Sequence, residues 1–210
     1  MVRRTKADAL ETRSALLDAA EKLFSEQGVT NTSMMQVAEA ANVTRGAIYH
    51  HFKNKLDLID SLMERVQLPV DEFRCQVASD NPNNPLEQLR LRALKFIAHM
   101  QQDPHTRALV EILLHKCEYI DDVLPIKTRH LSGRNECITD VEQIVAAAIA
   151  AGQLKPELQP KQVVVSLFSL IDGLMYNWLL DTTYFDLNST GTLAIDAFLT
   201  GLLAPDVTLN

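Results

Sequence analysis

Apolar residues recur along most of the chain at the three- and four-residue spacing of amphipathic α-helices, whereas the strict alternation of β-strands is scarce. Residues 9–27 carry one such stripe and are followed by Gly28, which favours a helix end there. The stripe consists of Leu16, Ala19, Ala20, Leu23 and Phe24. Further stripes occupy residues 86–102, 106–119, 122–151, 160–180 and 190–203. With the elements below, they predict an all-α fold of about nine helices.

Two short helices joined by a sharp turn are predicted within residues 33–52. Ser33 followed three positions later by Gln36 is a capping box, which satisfies exposed backbone donors and starts a helix. Asn42 stands where the chain must reverse, and Asn tolerates the left-handed conformation better than other residues except Gly. Thr44 can then cap the second helix. This order of caps and turn indicates a helix-turn-helix.

With the helix before them, these elements are predicted to form a three-helix head. Ala38 has almost no side chain, so a second helix can cross close to it. The expected core of the head is Leu16, Leu23, Phe24, Val37, Ala38, Ile48 and Phe52.

The second short helix carries the side chains expected of a helix that enters the major groove of DNA. Arg45 stands in its first turn and can donate two hydrogen bonds to a guanine edge; contact with a phosphate alone is the alternative. Thr44 suits a base methyl or a phosphate. Phosphate contacts are expected from Ser33, Tyr49, His50 and Lys55. An ordinary helical hairpin with a solvated basic end is the competing interpretation.

The charge is unevenly distributed. The net charge is -7, yet residues 1–55 hold eight Lys and Arg against six Asp and Glu, and the other residues hold 12 against 21. An acidic body behind a locally basic head is compatible with binding DNA through one end only. Arg3, Arg4 and Lys6 form a basic arm that either reaches a neighbouring groove or is disordered.

A long helix is predicted after Asn54, which can cap it. If it runs to residue 78 it is about 36 Å long, although Pro69 should kink it or end it early. Its inward residues would be Leu56, Ile59, Leu62, Met63 and Val66. Residues 80–85 are the best candidate linker. We expect a DNA-binding domain at residues 1–55 and a ligand-binding and dimerisation domain at residues 56–210.

The body is rich in soft and aromatic side chains, which suit a pocket for varied apolar molecules. Asp172 lies within an otherwise apolar helix, so it is expected either to orient a ligand or to form a structural hydrogen bond. The candidate pocket wall is Val66, Leu89, Ala93, Phe96, Val110, Leu113, Leu114, Cys137, Val141, Phe168, Ile171, Asp172, Met175 and Tyr176. Ordinary core packing is the alternative for each apolar member.

Other classes of protein fit the chain poorly. No apolar segment follows the basic start, and the apolar stretch at residues 163–180 contains Asp172 and Asn177, so a buried helix of a cytoplasmic protein is expected. The three cysteines are too widely spaced for a disulfide framework or a zinc site, and neither a metal nor a cofactor is expected. An enzyme would have to rely on residues 115–118, but neighbouring helical residues do not face each other.

The segment TRSALLDAAEKLFSEQGVTNTSMMQVAEAANVTRGAIYHHFKNKLDLI, with the basic arm before it, resembles the TetR/AcrR family of transcriptional repressors. EILLHKCEYIDD and LFSLIDGLMYNWLL are similar to the subgroup that represses multidrug efflux pumps, of the AcrR and TtgR type. The resemblance implies a homodimer that binds a palindromic double-stranded operator and is released by a hydrophobic inducer. A helical DNA-binding protein without a ligand is the alternative.

The resemblance also implies a dimer interface built by the last two helices as a four-helix bundle. Trp178, Phe198 and Leu202 are the expected contacts. Polar positions that line ligands in the nearest relatives are Val110 and Leu114 in this chain, so its set of inducers is expected to differ.

Overall fold

The computed structural model describes residues 6–118 and 124–209, and within these ranges the regular structure is helical. The predicted all-α fold is confirmed, with nine α-helices and one π-helical turn in the described residues. The elements are α1 (Lys6–Gln27), α2 (Met34–Ala40), α3 (Arg45–His51), α4 (Lys55–Asp80), α5 (Pro85–Gln102), α6 (Pro104–Glu111), the π turn (Ile112–Lys116), α7 (Leu124–Ala150), α8 (Pro160–Leu180) and α9 (Leu187–Leu202).

The chain divides into two compact units. The first comprises the described parts of residues 1–67 and 105–130, and the second those of residues 68–104 and 131–210. Both α4 and α7 therefore contribute residues to each unit.

The first unit is built around one hydrophobic core. The predicted members Leu16, Phe24, Val37, Ala38, Ile48 and Phe52 are buried, and Leu23 is half-buried against them. Three members of this core lie outside the sequence of the head: Leu109 of α6, Ile112 of the π turn and Ile126 of α7. The head thus shares its core with side chains that come many residues later along the chain.

Helix α4 begins at the predicted cap, where the Asn54 Oδ1 accepts a hydrogen bond from the Asp57 amide at 3.0 Å. Ile59, Leu62 and Val66 are buried in the first unit, as the apolar stripe predicted. The alternative that Pro69 ends the helix early is wrong, because α4 continues to Asp80. Pro69 itself is exposed. A carbonyl that lacks its helical N–H partner can be satisfied by water where the backbone is solvated.

In the second unit, α9 packs closely against α5. A Cβ atom on Gly191 would lie 2.6 Å from the Cδ1 of Ile97, so any larger residue there would force Ile97 to shift. Arg90 of α5 makes a bidentate ion pair with Asp196 of α9. Its Nε lies 2.7 Å from the Oδ1, and its Nη2 lies 2.9 Å from the Oδ2.

Helix α8 alone among the described helices is long and apolar enough to cross a membrane by length and composition. One face of it is nevertheless buried in the second unit, as in the core helix of a globular protein; this face holds Val163, Val164, Leu167, Ile171, Met175 and Trp178. Trp178 is only 3% exposed, so it is a core residue rather than the interface residue that the sequence indicated.

All three cysteines are free thiols. Burial raises the pKa of Cys117 to about 11, against a smaller opposing effect of the Lys55 charge, and it also raises the pKa of Cys137. Cys75 is exposed, whereas Cys117 and Cys137 are half-buried.

Candidate nucleic-acid interface

The predicted caps and turn of the helix-turn-helix are confirmed. The Ser33 Oγ accepts a hydrogen bond from the Gln36 amide at 3.2 Å, and the Gln36 Oε1 accepts one from the Ser33 amide at 2.8 Å. Asn42 adopts the left-handed conformation with φ +54°. The Thr44 Oγ1 then accepts a hydrogen bond from the Ala47 amide at 3.2 Å and starts α3.

Helix α3 has one buried and one exposed face. Ile48 is fully buried and anchors the helix to the core of the first unit. Thr44, Arg45, Tyr49 and His50 are all exposed. The Arg45 guanidinium lies 5.9 Å from the centroid of the Tyr49 ring, within range of a cation–π interaction. The local sequence therefore presents a basic, polar and aromatic surface on a rigid helix.

Lys55 has a structural role that the sequence did not reveal. Its Nζ donates hydrogen bonds to the carbonyl oxygens of Val29 at 3.0 Å and Thr30 at 3.3 Å. These bonds join the start of α4 to the turn between α1 and α2. No local pattern could have identified them, because the partners lie 26 and 25 residues away along the chain. A phosphate contact by Lys55 stays a prediction.

Ser33, like Lys55, forms hydrogen bonds within the protein, because its hydroxyl also donates to the Gln36 Oε1 at 2.9 Å. Its phosphate contact, like those of Tyr49 and His50, stays a prediction. The first acidic residue after Lys53 and Lys55 is Asp57, whose Oδ2 accepts a hydrogen bond from the Lys53 amide. Arg3 and Arg4 lie outside the described residues, and Lys6 is exposed at the start of α1.

Members of the candidate pocket wall are found in each of the two compact units. In the first unit, Val66 is buried and Val110, Leu113 and Leu114 are half-buried. In the second unit, the buried members are Leu89, Ala93, Val141, Ile171 and Met175, and the half-buried members are Phe96, Cys137 and Phe168. Their burial agrees with both a pocket wall and ordinary core packing, so ligand contact by each of them stays a prediction.

Asp172 and Tyr176 differ from the other candidates because both are exposed on α8. Whether Asp172 orients a ligand or forms a structural hydrogen bond stays a prediction. The sequence shows an acid within an apolar run but not which face of the helix carries it. Neighbouring protein atoms still raise the pKa of Asp172 above its ordinary value, with a smaller opposing effect of the Arg134 charge.

Three charged side chains from different helices meet in the second unit. The Asp140 Oδ2 of α7 accepts hydrogen bonds from Arg74 of α4 at 2.5 Å and from Arg92 of α5 at 2.7 Å. Burial alone would raise the pKa of Asp140, but the bonds and charges of both arginines outweigh it and lower this pKa. Beside Asp140, an open polar groove of about 510 Å³ runs along α7 and is lined by Ser132, Asn135, Glu136, Thr139 and Gln143.

The residues considered for an enzyme do not form a metal centre. In residues 6–118 and 124–209 no three His, Cys, Asp or Glu side chains are grouped so that they could hold a metal ion. His115 and Lys116 end the π turn, and Cys117 is a half-buried thiol of raised pKa, which disfavours the nucleophilic thiolate.

Comparison with known proteins identifies relatives for nearly the whole chain. The model for bacterial regulatory proteins of the tetR family matches residues 16–62, and the model for the C-terminal region of MAATS-type transcriptional repressors matches residues 84–204. The chain is 38% identical over 180 residues to the HTH-type transcriptional regulator TtgR of Pseudomonas putida, which is 86% of each chain.

Two solved structures share the fold over their full length or nearly so. NalD, the secondary repressor of the MexAB-OprM multidrug efflux pump in Pseudomonas aeruginosa, gives a TM-score of 0.84 at 33% identity, with 96% of this chain and 100% of that chain covered. The SmeT–triclosan complex gives a TM-score of 0.82 at 28% identity, with 95% of each chain covered. SmeT is the repressor of the Stenotrophomonas maltophilia multidrug efflux pump SmeDEF.

Proposed function

The chain belongs to the TetR family of bacterial transcriptional regulators, and we propose that it represses a multidrug efflux pump operon in the cytoplasm until a hydrophobic small molecule releases it from its operator. Its relatives are regulators of transcription, so the chain is a repressor related to efflux-pump regulators and not an enzyme. The observation that carries the proposal is the capped helix-turn-helix, whose α3 exposes Arg45 beside Tyr49.

Binding to DNA is supported by the exposed face of α3. Arg45 is the side chain suited to a guanine edge, and Thr44 suits a thymine methyl or a phosphate. Ser33, Tyr49, His50 and Lys55 lie in the same compact unit and are proposed to position the head on phosphates. Because their contacts carry no sequence information, specificity in this proposal rests mainly on Arg45.

A homodimer is supported by the outer faces of α8 and α9. The exposed residues of these faces include Val165, Ser169, Asp172, Gly173, Tyr176 and Leu180 of α8, and Ser189, Leu193, Ala197, Thr200 and Gly201 of α9. Asp172 and Lys161, which stands at the start of α8, are the charged residues among the exposed residues of the two helices. A large exposed surface with so few charges is typical of a surface that a partner covers, and a two-fold arrangement would bring two heads to one palindrome.

Release by an inducer is supported by the apolar candidates in both units and by the triclosan bound to SmeT. Helix α4 begins at Lys55 and carries the candidate Val66, so a ligand that tilts α4 would move the head. The ligand must bind the form that cannot bind DNA more tightly, because only differential affinity shifts a population. A coupling of about 1–3 kcal/mol per site is ordinary for such switches.

Two measurements test the proposal. Selection of duplexes by the purified protein from a random pool should yield one palindromic sequence; a pool without enrichment would contradict operator binding. Calorimetry with triclosan and a panel of other hydrophobic compounds should then detect tighter binding without the selected duplex than with it. Equal affinity in both cases, or no binding at all, would favour a DNA-binding protein without a ligand switch.

A further inference from the structure

Arg92 of α5 is a buried guanidinium whose hydrogen bonding is incomplete. Its side chain is only 15% exposed, and its Nη1 donates to the Asp140 Oδ2 of α7 at 2.7 Å. Its Nε is buried and has no hydrogen-bond partner among the described residues. A buried donor on a charged group is costly when it has no acceptor, so this atom marks a position that suits an acceptor from outside the chain.

Arg90, two residues earlier on the same helix, shows a guanidinium with complete pairing. Its Nε and Nη2 bond the two carboxylate oxygens of Asp196 at 2.7 and 2.9 Å. This edge of a guanidinium matches the spacing of the two oxygens of a carboxylate. Arg92 bonds Asp140 through its Nη1 instead, so its unpaired Nε lies on the edge that Arg90 uses. An organic carboxylate has the shape that this edge can bind.

Arg74 of α4 brings a second positive charge to the same place. Its Nη2 donates to the same Asp140 Oδ2 at 2.5 Å, so one carboxylate oxygen serves two guanidiniums. The other carboxylate bonded to Arg74 is that of Asp71, which lies three residues earlier on α4. A further anion bound at Arg92 would therefore be attracted by two guanidiniums that already share an acceptor.

Asp140 can make room for another anion because it borders solvent. Its side chain is 44% exposed, and it lines the open polar groove of about 510 Å³ along α7. Its carboxylate can turn into this groove, where water and polar side chains such as Thr139 and Gln143 solvate it. The two guanidiniums would remain mostly buried and would need a new acceptor.

Apolar candidates for ligand contact flank the two arginines. On α5, Leu89 lies three residues before Arg92 and Phe96 four residues after it, so all three share one face of the helix. On α7, Cys137 lies three residues before Asp140. Burial raises the pKa of the Cys137 thiol while the charges of both arginines oppose this effect, so the thiol lies within electrostatic range of both. The charged cluster thus adjoins apolar side chains of two helices.

We propose that Arg74 and Arg92 form an anion-binding part of the ligand site, so that the inducers this repressor prefers are amphipathic organic carboxylates. The inference rests on the proposed function and names the class of ligand for its site. The apolar body of such a compound packs against side chains such as Leu89 and Phe96. Its carboxylate accepts hydrogen bonds from the Arg92 Nε and from Arg74, while the Asp140 carboxylate turns into the groove.

The first test compares two compounds that share one apolar body and differ in charge. These are the arylpropionate ibuprofen and its primary amide, titrated into the purified protein by calorimetry at pH 7. The carboxylate should bind at least about tenfold more tightly than the amide, because only the carboxylate forms charge-assisted hydrogen bonds with the arginines. Acetate at the same concentration should not compete, since it lacks the apolar body. Equal affinities of the two compounds, or no binding of either, would overturn the proposal.

The second test removes one arginine. Arg92→Gln should weaken binding of the carboxylate about tenfold and leave binding of the amide within about twofold. Arg90→Gln is the matched control, because it also removes a mostly buried arginine of α5 from an ion pair with an aspartate. It should leave the preference for the carboxylate unchanged. A preference that survives in Arg92→Gln would contradict the assignment.

The third test changes affinity in the opposite direction. Asp140→Asn removes the negative charge that competes for the two arginines, so the carboxylate should bind about tenfold more tightly than to the parent, and the amide should bind as before. Asp71→Asn, which removes the other carboxylate bonded to Arg74, should change both affinities by less than about twofold. A cluster with a purely structural role would instead lose affinity for both compounds alike in Asp140→Asn, and that result would overturn the proposal.

These outcomes are distinguishable from a failure of the proposed function. The preference for the carboxylate is measured without DNA, so it decides whether the arginines bind an anion even if the parent selects no duplex. With the selected duplex present, the carboxylate should bind more weakly. Equal affinity with and without the duplex would contradict its role as an inducer.

Discussion

Arg45 combines three properties that base readout requires. It is exposed, it stands in the first turn of α3, and its guanidinium lies 5.9 Å from the Tyr49 ring, where a cation–π interaction can restrain it before DNA arrives. A restrained donor loses less conformational entropy on binding than a free one. Thr44 and Ile48 fix the helix itself, one through its cap and the other through the core.

Arg45→Ala should therefore weaken binding to the selected duplex by about 1–3 kcal/mol and relax the preference at one position per half-site. The exposed Lys53 of the same head provides the control. Lys53→Ala should weaken all duplexes alike and lower the salt slope by about one, because it removes only a charge near phosphates. Titrations of a duplex library at several salt concentrations check both, and unchanged selectivity of Arg45→Ala would contradict base readout.

The surroundings of Asp140 allow a prediction about the free energy of unfolding. Arg74 and Arg92 are mostly buried and share its Oδ2, so Asp140→Asn should lower the free energy of unfolding at pH 7. Because Asp140 is 44% exposed, solvent screening limits the loss to about 1–2 kcal/mol. Asp71→Asn is the matched control, since its one contact to Arg74 at 3.2 Å is a surface pair within α4 and should matter little.

The pH dependence follows from the lowered pKa of Asp140. A carboxyl whose pKa is lower in the folded than in the unfolded protein stabilises the fold above the unfolded value of about 4. This contribution is lost as the pH falls from there through the folded pKa. Urea titrations of parent and Asp140→Asn should therefore differ at pH 7 and converge in the acid range; a constant difference would contradict the assignment.

Among the contacts between elements, the one between α5 and α9 restricts the size of the side chain at position 191. Gly191→Ala would place a Cβ 2.6 Å from the Cδ1 of Ile97, which is 1% exposed and cannot move into solvent. We expect a loss of about 1–3 kcal/mol in the free energy of unfolding, measured by denaturant titration. Adding Ile97→Val removes the crowded methyl and should recover part of it.

Gly133→Ala is the control for helix propensity. Its Cβ would meet nothing within 4 Å in α7, so it should stabilise by up to about 1 kcal/mol. If Gly191→Ala stabilised the protein equally, the close approach of α5 and α9 would not exist in solution.

The elements also show which features a sequence can reveal. The capping box at Ser33, the left-handed Asn42 and the cap at Asn54 depend on residues at most four positions apart, and all were predictable. The continuation of α4 past Pro69 was not, because it depends on how the surrounding structure compensates for the missing N–H. The π turn has no sequence signature, since it arises from the competition between packing and helix register.

The same distinction applies to the candidate site. Arg45 and its neighbours could be placed on an exposed face because α3 is short and amphipathic. Trp178 was misplaced, because α8 is apolar around most of its circumference and its periodicity does not show which side faces the core. The carbonyl partners of Lys55 depend on tertiary structure alone.

At the scale of the whole molecule, the exposed faces of α8 and α9 predict the assembly. Leu193 is 72% exposed on α9, so a charge there costs the single chain little but would be desolvated in a dimer. Light scattering of the parent should give twice 23.5 kDa, and Leu193→Lys should give 23.5 kDa. Leu10→Lys, at a position of α1 that is 61% exposed, should leave the mass unchanged. A monomeric parent at micromolar concentration would exclude the proposed dimer.

The shared core of the first unit limits how far the three-helix head can be transferred to another protein. Leu109, Ile112 and Ile126 belong to the same core as Phe24 and Ile48. An engineer who grafts only the helix-turn-helix region onto another regulator would transfer a head with part of its core missing. A fusion that imports the DNA specificity of this chain would have to carry α6, the π turn and the start of α7 as well, or supply substitutes of matching shape. Exchange of recognition surfaces between such regulators is then easiest by changing the exposed face of α3 alone.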